Sequence, residues 1–532
     1  MPTIGEAAFA GPYMAAEFAG ATTPESQVPG RGRAAVEEYF NMRGHAELVK
    51  RDIDPETQKT LYAESEAWLK ENAPEILEPG TPEEYATYDR EKVTGRLVGL
   101  AKHMYHKHHE HVTGFEVDAT EAFVDAAFTM WEAKDDPSGE KLMNGSFAFV
   151  VPPRVSRETP EYGKELNELV HVLRLVKPEL RAAMLRGVPP WVVDFYHKDE
   201  RGNQGLLICA NVTGDMRSDL STGEMVMTSR GIINDAVDLA ADGFGAWAIG
   251  YGATFPGIMK FGEATRRQDV VTTTGHAGTI VEIAKAIDQR HPNRETVERM
   301  GVIGLGAIGA RAAEVLADLY PNAQVRIYDE TASRIGKAMK ARPERFIPAA
   351  DNAEVIRESD VVVSAITRQI SLRALGLTEK DVAGTVVVDD SQPGCFDATE
   401  VESLGGAVLW PIGSDENGLI TREFCGYGDL MVNKRTDLFG CEAEVASLVA
   451  MYNELRGMGF DHAHAANMAR QQAVRGPVNL QQVQAASDRF DRYGIGAAEP
   501  QSFGVRRHLP QLPRRNHNAT SPSPIHPTPH AA

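Results

Sequence analysis

Eight residues, Val302-Ile303-Gly304-Leu305-Gly306-Ala307-Ile308-Gly309, restrict the folds open to this chain more than any other stretch. Met300 to Ile303 supply a short apolar strand. Ala310 to Leu319 supply a helix with Ala312, Leu316 and Leu319 on one face. The glycines between them have separate tasks. Gly304 permits a tight turn, Gly306 lets the backbone approach a pyrophosphate, and Gly309 lets the helix pack close on the strand. Phosphates would then sit on the helix N-terminus, cradled by Gly304, Leu305, Gly306, Ala307, Ile308 and Gly309. A second strand, Gln324 to Tyr328, ends at Asp329, 20 residues beyond Gly309. That carboxylate is placed to accept hydrogen bonds from an adenosine ribose. Strand, turn, helix, strand and acid together predict a dinucleotide-binding unit rather than a glycine turn without a ligand.

The chain has 532 residues, enough for two to four domains with full cores. Its 75 acids exceed its 55 bases, for a net charge of −20, which argues against a nucleic-acid partner. Four cysteines, at 209, 395, 425 and 441, follow no CxxC spacing and are too few for a disulfide scaffold, so a reducing cytoplasm is the expected setting. Met1 to Gly32 has no basic start followed by an apolar run, so no secretory signal is expected. The uncharged stretch Gly243 to Met259 holds five glycines and a proline and is too short and broken for a membrane span.

In chain order, residues 1–30 lack periodicity and are expected to be disordered. Residues 31–143 predict a separate helical extension, with helices over Arg33 to Asn41, Pro55 to Asn72, Pro82 to His111 and Ala119 to Lys134. On the third of these, His103, His106 and Glu110 would share a face. That is a conceivable metal-ligand pattern, but a solvated helix end is the favoured reading, and no metal is expected. Residues 144–293 alternate strands (Phe147 to Val151, Gly205 to Val212, Ala246 to Tyr251, Val270 to Thr274) with helices (Glu161 to Arg186, Thr228 to Ala241, Thr279 to Arg290), the texture of an α/β domain.

Residues 294–424 continue the nucleotide unit through Val361 to Ser364, Thr385 to Asp389 and Ala407 to Trp410, which predicts a doubly wound Rossmann-type parallel sheet. Ligands in such sheets lie beyond the carboxyl ends of the strands, which puts Ala365-Ile366-Thr367 and Asp390 to Pro393 near a nicotinamide. Residues 425–500 return to helices, over Cys441 to Arg456 and Asn479 to Tyr493. Residues 501–532 are expected to be a disordered tail, and the glycosylation triplet at Asn518 within it is read as chance.

Four segments together resemble one family, the long-chain acyl-(acyl-carrier-protein) reductases of cyanobacteria, which form fatty aldehydes. They are Trp247 to Ile287, with Thr272-Thr273-Thr274-Gly275-His276 opening a helix; Val302 to Asp390; Asp437-Leu438-Phe439-Gly440-Cys441-Glu442-Ala443-Glu444; and Pro477-Val478-Asn479 with the helix after it. The resemblance covers residues 146–497. It implies that Cys441 is the nucleophile and that an acyl thioester, on a carrier protein or coenzyme A, is reduced to an aldehyde through a cysteine acyl-enzyme.

Three departures qualify it. The family uses NADPH and tends to show an arginine where this chain has Asp329, which would repel a 2′-phosphate, so NAD(H) is expected over NADP(H). The helix near residues 228–242, basic in the family, carries Asp235, Asp238 and Asp242 here. The extension implies a partner, a homo-oligomer contact or a restriction on substrate.

The residues support that chemistry on their own terms. Cys441 follows Gly440 at a helix start, where the helix terminus lowers a thiol pKa and Glu442 and Glu444 oppose the lowering. Cys395 and Cys425 rank behind it, Cys395 because it follows a sheet strand. His276 is a candidate proton donor or oxyanion partner, with a capping or core role as the alternative. Two other functions stay open. A shikimate- or quinate-type NAD(P)-dependent dehydrogenase would act on a small alcohol or ketone without a cysteine, and a regulator would bind NAD without turnover.

Overall fold

The structure, a computed structural model, describes residues 34–42, 53–135, 146–153, 170–214, 216, 222–423, 430–507 and 509, apart from positions 36, 198, 200, 201, 367, 392 and 393. Expectations for residues 1–30, Thr367, Gln392, Pro393, Cys425 and the tail beyond 509 lie outside the described residues. Helices of ten residues or more and all strands are numbered below.

Three helices come first: α1 Pro55–Asn72, α2 Arg90–Lys107 and α3 Gly114–Ala133. Asp54 caps α1, accepting from the backbone N–H groups of Glu56 and Thr57, and Pro55 occupies the first turn. The helix expected over Pro82 to His111 divides into a short one, Pro82–Ala86, and α2. The reason is local: Asp89 takes extended backbone and caps α2 through the N–H of Lys92 at 3.0 Å. Helix α2 also ends at Lys107, so Glu110 does not share a face with His103 and His106; His103 instead meets Glu64 at 2.8 Å.

This layer does not stand apart. Phe123 of α3 packs edge-on against Trp191, with ring centroids 5.5 Å apart. Ser65 of α1 donates to the carbonyl of Leu175 at 2.8 Å, and Arg96 of α2 donates to that of Met184 at 2.9 Å. Glu116 and Arg174 form a buried ion pair. Apolar residues of all three helices share one core with the α/β body behind them.

The first sheet contains β1 Ser146–Val151, β2 Trp191–Tyr196, β3 Gly205–Cys209, β4 Ala246–Tyr251 and β5 Val271–Thr273, in the order β2-β3-β1-β4-β5. All its strands run parallel except β2, which is antiparallel to β3. Strand β2 was not anticipated. The described part of the expected helix Glu161 to Arg186 holds only short turns, His171–Leu175, Pro178–Leu180 and Arg181–Met184, because Pro178 cannot continue a helix. Two longer helices follow, α4 Thr222–Asp238 and α5 His276–Arg290.

The second sheet is wholly parallel. It comprises β6 Arg299–Ile303, β7 Gln324–Tyr328, β8 Phe346–Pro348, β9 Val361–Ser364, β10 Val386–Asp389 and β11 Ala407–Leu409, with α6 Gly309–Leu319 and α7 Ala332–Ala341 among its crossovers. Its order, β8-β7-β6-β9-β10-β11, is the order 3-2-1-4-5-6 of dinucleotide-binding sheets. The chain reverses direction across the sheet between β6 and β9, which is where such sheets bind their ligand.

A small antiparallel sheet orders β12 Ile412–Asp415 between β13 Asp437–Phe439 and β14 Ile495–Ala497. It leads into α8 Gly440–Gly457, α9 His462–Gln472 and α10 Leu480–Tyr493. Helix α8 returns to the first sheet: a Cβ on Gly250 of β4 would lie 2.7 Å from Val445. The ordered body extends past residue 500, where a disordered tail was expected to start. Gln501–Ser502 (β15) pairs with Val505–Arg506 (β16), and Phe503 between them stacks on Trp410 at 4.6 Å, which anchors these residues to the body. No helix of the described residues is long and apolar enough to cross a membrane.

Candidate functional site

The glycine loop has the geometry its spacing predicts. Gly304 sits at φ +90°, and any side chain there would collide with Ile366 and the carbonyl of Ala365. A Cβ on Gly309 would overlap the carbonyl oxygen of Gly304, so helix and strand touch through bare backbone. A Cβ on Gly306 would meet nothing within 4 Å, which leaves room over the start of α6 for a phosphate group. Leu305, Ala307 and Ile308 complete the loop.

Asp329 follows β7. It accepts from the N–H of Leu305 at 2.7 Å and of Thr331 at 2.7 Å, and its charge partner is Arg334 at 3.2 Å. Burial pushes this carboxyl up, but the hydrogen bonds from Leu305, Thr331 and Arg334 outweigh it and hold the group below its usual value. It is therefore an anion at neutral pH.

Beyond the strand ends, Asp389 gathers the N–H groups of Ser391, Cys395 and Phe396. Cys395 donates its thiol to the carbonyl of Ile366 at 3.2 Å, and burial followed by Asp389 pushes that thiol up to about 12. Cys395 is thus a fixed, protonated part of the nucleotide domain. Asp390 directly follows β10, and burial, with Asp389 second, holds its carboxyl well above the usual range.

Cys441 is the second residue of α8, half-buried, in a tight junction. A Cβ on Gly275, at φ +72° just before α5, would overlap the Cβ of Cys441. One turn on, a Cβ on Gly278 would overlap the carbonyl of Gly440. The heads of α5 and α8 therefore meet backbone to backbone. Two buried carboxylates secure this crossing. Glu444 accepts from Thr273 Oγ1 and from the N–H of Gly278 at 2.8 Å. Both carboxylate oxygens of Glu442 accept from one nitrogen of Arg422, Nη2, at 2.8 and 2.7 Å.

The expected lowering of the Cys441 thiol by its helix terminus does not prevail. Burial pushes it far up, and Glu442, Asp390 and Glu444 push the same way. The contribution of Asp390 ties the end of β10 in the nucleotide sheet to the cysteine of α8. Cys209, by contrast, is fully buried in β3.

His276 opens α5 next to Gly275. Its ring meets Phe261 edge-on at 5.8 Å, and burial pulls its pKa down to about 4. It is neutral at pH 7, and its Nδ1 has no partner among the described residues. A neutral imidazole donates or accepts a hydrogen bond there but brings no charge to the thiol. Among the described residues, no cluster of three His, Cys, Asp or Glu side chains is arranged to hold a metal.

Sequence reasoning named Cys441, His276, Asp329 and the glycine loop. It missed Arg422, Tyr196, Thr273 and the part played by Asp390. Glu442 and Glu444 carried a signal: two residues apart, they point to different sides of a helix, so each needs its own buried partner.

Behind the junction, Glu282 of α5 is buried against Gly413 of β12, with Lys285 3.8 Å away. Burial pushes its carboxyl up to about 8, against the opposing pull of Lys285. The folded state then keeps a proton that the unfolded chain gives up near its ordinary carboxylate range. Stability contributed by the neutral acid is complete at low pH and is lost as pH rises through about 8. Glu282→Gln should therefore raise the thermal midpoint near pH 9 and leave it unchanged at about pH 4, as read by thermal unfolding at both values.

Residues 299–404 match the NAD binding domain of 6-phosphogluconate dehydrogenase. The chain carries an NAD(P)-binding Rossmann domain. No curated protein matches the chain by sequence. Several solved structures are similar at low identity and low superposition. Shikimate dehydrogenase from Aquifex aeolicus is 10% identical, with 62% of this chain and 98% of that one covered and a TM-score of 0.30. L-tryptophan dehydrogenase from Nostoc punctiforme is 12% identical, with 67% and 90% covered and a TM-score of 0.28. A D-isomer specific 2-hydroxyacid dehydrogenase from Lactobacillus delbrueckii ssp. bulgaricus is 13% identical, with 31% and 58% covered and a TM-score of 0.20, so the match spans little more than half of that enzyme.

Proposed function

We propose that this protein reduces an acyl thioester, carried by coenzyme A or an acyl-carrier protein, to an aldehyde, with Cys441 as the acyl-bearing nucleophile and NADH as the preferred reductant. The observation that supports this most is the close contact of Cys441 with the backbone of Gly275 at the heads of α8 and α5. The charge of Asp390, which follows β10 at the ligand-binding edge of the nucleotide sheet, bears on the same thiol.

Bound reduced nicotinamide supplies a hydride. The protein's own residues have the remaining tasks. Cys441 must lose its proton before it attacks the acyl carbonyl. The acceptor we assign to it is Asp390 in its ionised form, whose charge bears on this thiol. The Cys441 sulfur then forms a thioester and expels the carrier thiol, which leaves with that proton. Neutral His276 offers a hydrogen bond at the head of α5. After reduction, the hemithioacetal on Cys441 collapses to aldehyde and frees the sulfur.

Asp329 supports NADH over NADPH, since an anion there accepts from a ribose hydroxyl and repels a phosphate. Asp329→Ala should reduce the preference for NADH by about tenfold in kcat/KM. Its neighbour Arg334 is then free to meet a 2′-phosphate. A wild-type enzyme faster with NADPH would contradict the assignment. The carboxylates of α4 and of the turn after it do not repel a donor as freely as their sequence implies: Asp235 and Asp238 pair with Arg266, and Asp242 with Arg267. Both coenzyme A and carrier-protein donors therefore belong in the test, which is aldehyde formation coupled to NADH oxidation. A soluble cytoplasmic setting suits a chain whose described cysteines, Cys209, Cys395 and Cys441, are free thiols.

The raised Cys441 thiol favours a second reading, a dehydrogenase acting on a small alcohol or ketone in which Cys441 only packs the junction. That enzyme would oxidise or reduce its substrate with all cysteines blocked.

A further inference from the structure

We propose that Arg422, acting through Glu442, is a positioning residue that fixes the turn carrying Cys441 and cancels the charge beside its thiol. This rests on the reading of Cys441 as the reacting group. Arg422 and Glu442 are each about 1% exposed, and Nη2 of the guanidinium donates to both carboxylate oxygens. The same guanidinium donates to the carbonyls of Asp437 and, at 3.3 Å, Lys434. Glu442 accepts from the N–H of Phe439 at 3.1 Å and from the hydroxyl of Tyr196. One ion pair thus grips the chain on both sides of Gly440 and Cys441. Arg422 is itself anchored. The N–H of His197 donates to the carbonyl of Thr421 at 2.8 Å, and that of Glu423 to the carbonyl of Phe195 at 2.9 Å, so residues 421–423 lie along β2 of the first sheet.

Stability alone is a poor reason for this pair. Taking two charges out of water costs several kcal/mol, and apolar residues of similar volume often hold a fold as well. Its placement suggests another use. The groups that bear on the thiol are Glu442 and Glu444 from its own helix and Asp390 from the nucleotide sheet, all of them acids, while His276 at the head of α5 is neutral. Glu442 is the strongest of the acids and adjoins Cys441 in the chain. Left unpaired, it would hold the thiol proton more firmly. Paired with Arg422, it still satisfies the Phe439 N–H at the helix start, with its charge balanced.

The test is the pH profile of Cys441 alkylation by iodoacetamide in the full-length protein, read by peptide mass. Glu442→Gln removes the main counter-charge of Arg422, leaving only the buried Asp194 of β2 to act on it, and should move the midpoint down by about one unit or more. Arg422→Met combined with Glu442→Gln removes both charges and should bring the midpoint back toward the wild-type value. Tyr196→Phe removes one donor from the carboxylate and should move it upward by a smaller amount. Thermal unfolding and dinucleotide binding report whether each variant is folded. If Glu442→Gln does not fold, the sign of the Tyr196→Phe shift decides.

Unmoved midpoints in Glu442→Gln and Tyr196→Phe would overturn the proposal. So would a Glu442→Gln shift that the double variant does not reverse, because charge would then not be its cause. Thioester turnover is measured separately. Shifted midpoints without turnover on any thioester would keep the positioning role and discard the thioester reading.

Discussion

Cys441→Ser is expected to lower aldehyde formation by about a thousandfold or more, because a serine hydroxyl is not ionised at neutral pH and the neighbouring carboxylates oppose its ionisation. The loss should not extend to the nucleotide domain. The glycine loop joins β6 to α6 and Asp329 follows β7, and among the described residues none of their hydrogen bonds involves α8. Dinucleotide affinity measured by quenching of protein fluorescence should therefore stay close to that of the wild type. Cys395→Ser is the control. Its thiol bonds the carbonyl of Ile366 inside the nucleotide domain, and a hydroxyl can make the same bond. Activity lost in Cys395→Ser and kept in Cys441→Ser would move the nucleophile to the nucleotide sheet.

Glu116→Ala is expected to destabilise the whole protein by about 3–5 kcal/mol, the usual cost of leaving one partner of a buried ion pair uncompensated. Arg174 would keep its bond to the carbonyl of His111 at 2.6 Å but lose its counter-charge. Glu116 also caps α3 by accepting from the N–H of Thr113 at 2.8 Å, so the helix start would loosen with it. The site of the mutation makes the result informative. Glu116 belongs to the N-terminal helical layer, and Arg174 to the α/β body. A separate helical unit would lose its own transition and leave that of the body in place. A shared core loses both together, so chemical unfolding followed by near-UV circular dichroism should show one transition, shifted as a whole. On the same reasoning, a chain beginning at residue 144 should not fold, since it would expose Trp191 and leave Arg174 without a partner.

Local rules reached some parts of this molecule and not others. The nucleotide sheet was legible because its strands are short, mostly apolar and separated by helices, and because glycine spacing in the loop admits few readings. Helix α1 begins at the proline and ends at the asparagine that the sequence pattern gave it. Pairings between distant segments were beyond local rules. Strand β2 contains Asp194 and follows two prolines, so it lacks a strand's usual pattern, and it forms through pairing with β3 and cover from α3.

Helix α9, with its alanines, histidines and few large apolar residues, has almost no hydrophobic stripe. Asp461 caps it and α8 holds it in place. Strands β15 and β16 are two residues each and persist because Phe503 lies flat on Trp410. At the candidate site the sequence pointed to a cysteine after a glycine at a helix start. It could not show that Gly275 presses on that cysteine, nor that Arg422 reaches Glu442 across 20 residues. It also misjudged the thiol: the helix terminus is a weak influence next to burial among three acids.

The most direct test of the account is the mass of the protein itself. Wild-type protein is mixed, without nicotinamide cofactor, with a panel of acyl-coenzyme A and acyl-carrier-protein thioesters, then digested and mapped. The account predicts one acyl group per chain, on the peptide that carries Cys441, which disappears when NADH is added and aldehyde forms. Chains that stay unmodified with every thioester, while NADH still binds, would contradict it and favour a dehydrogenase that uses no cysteine.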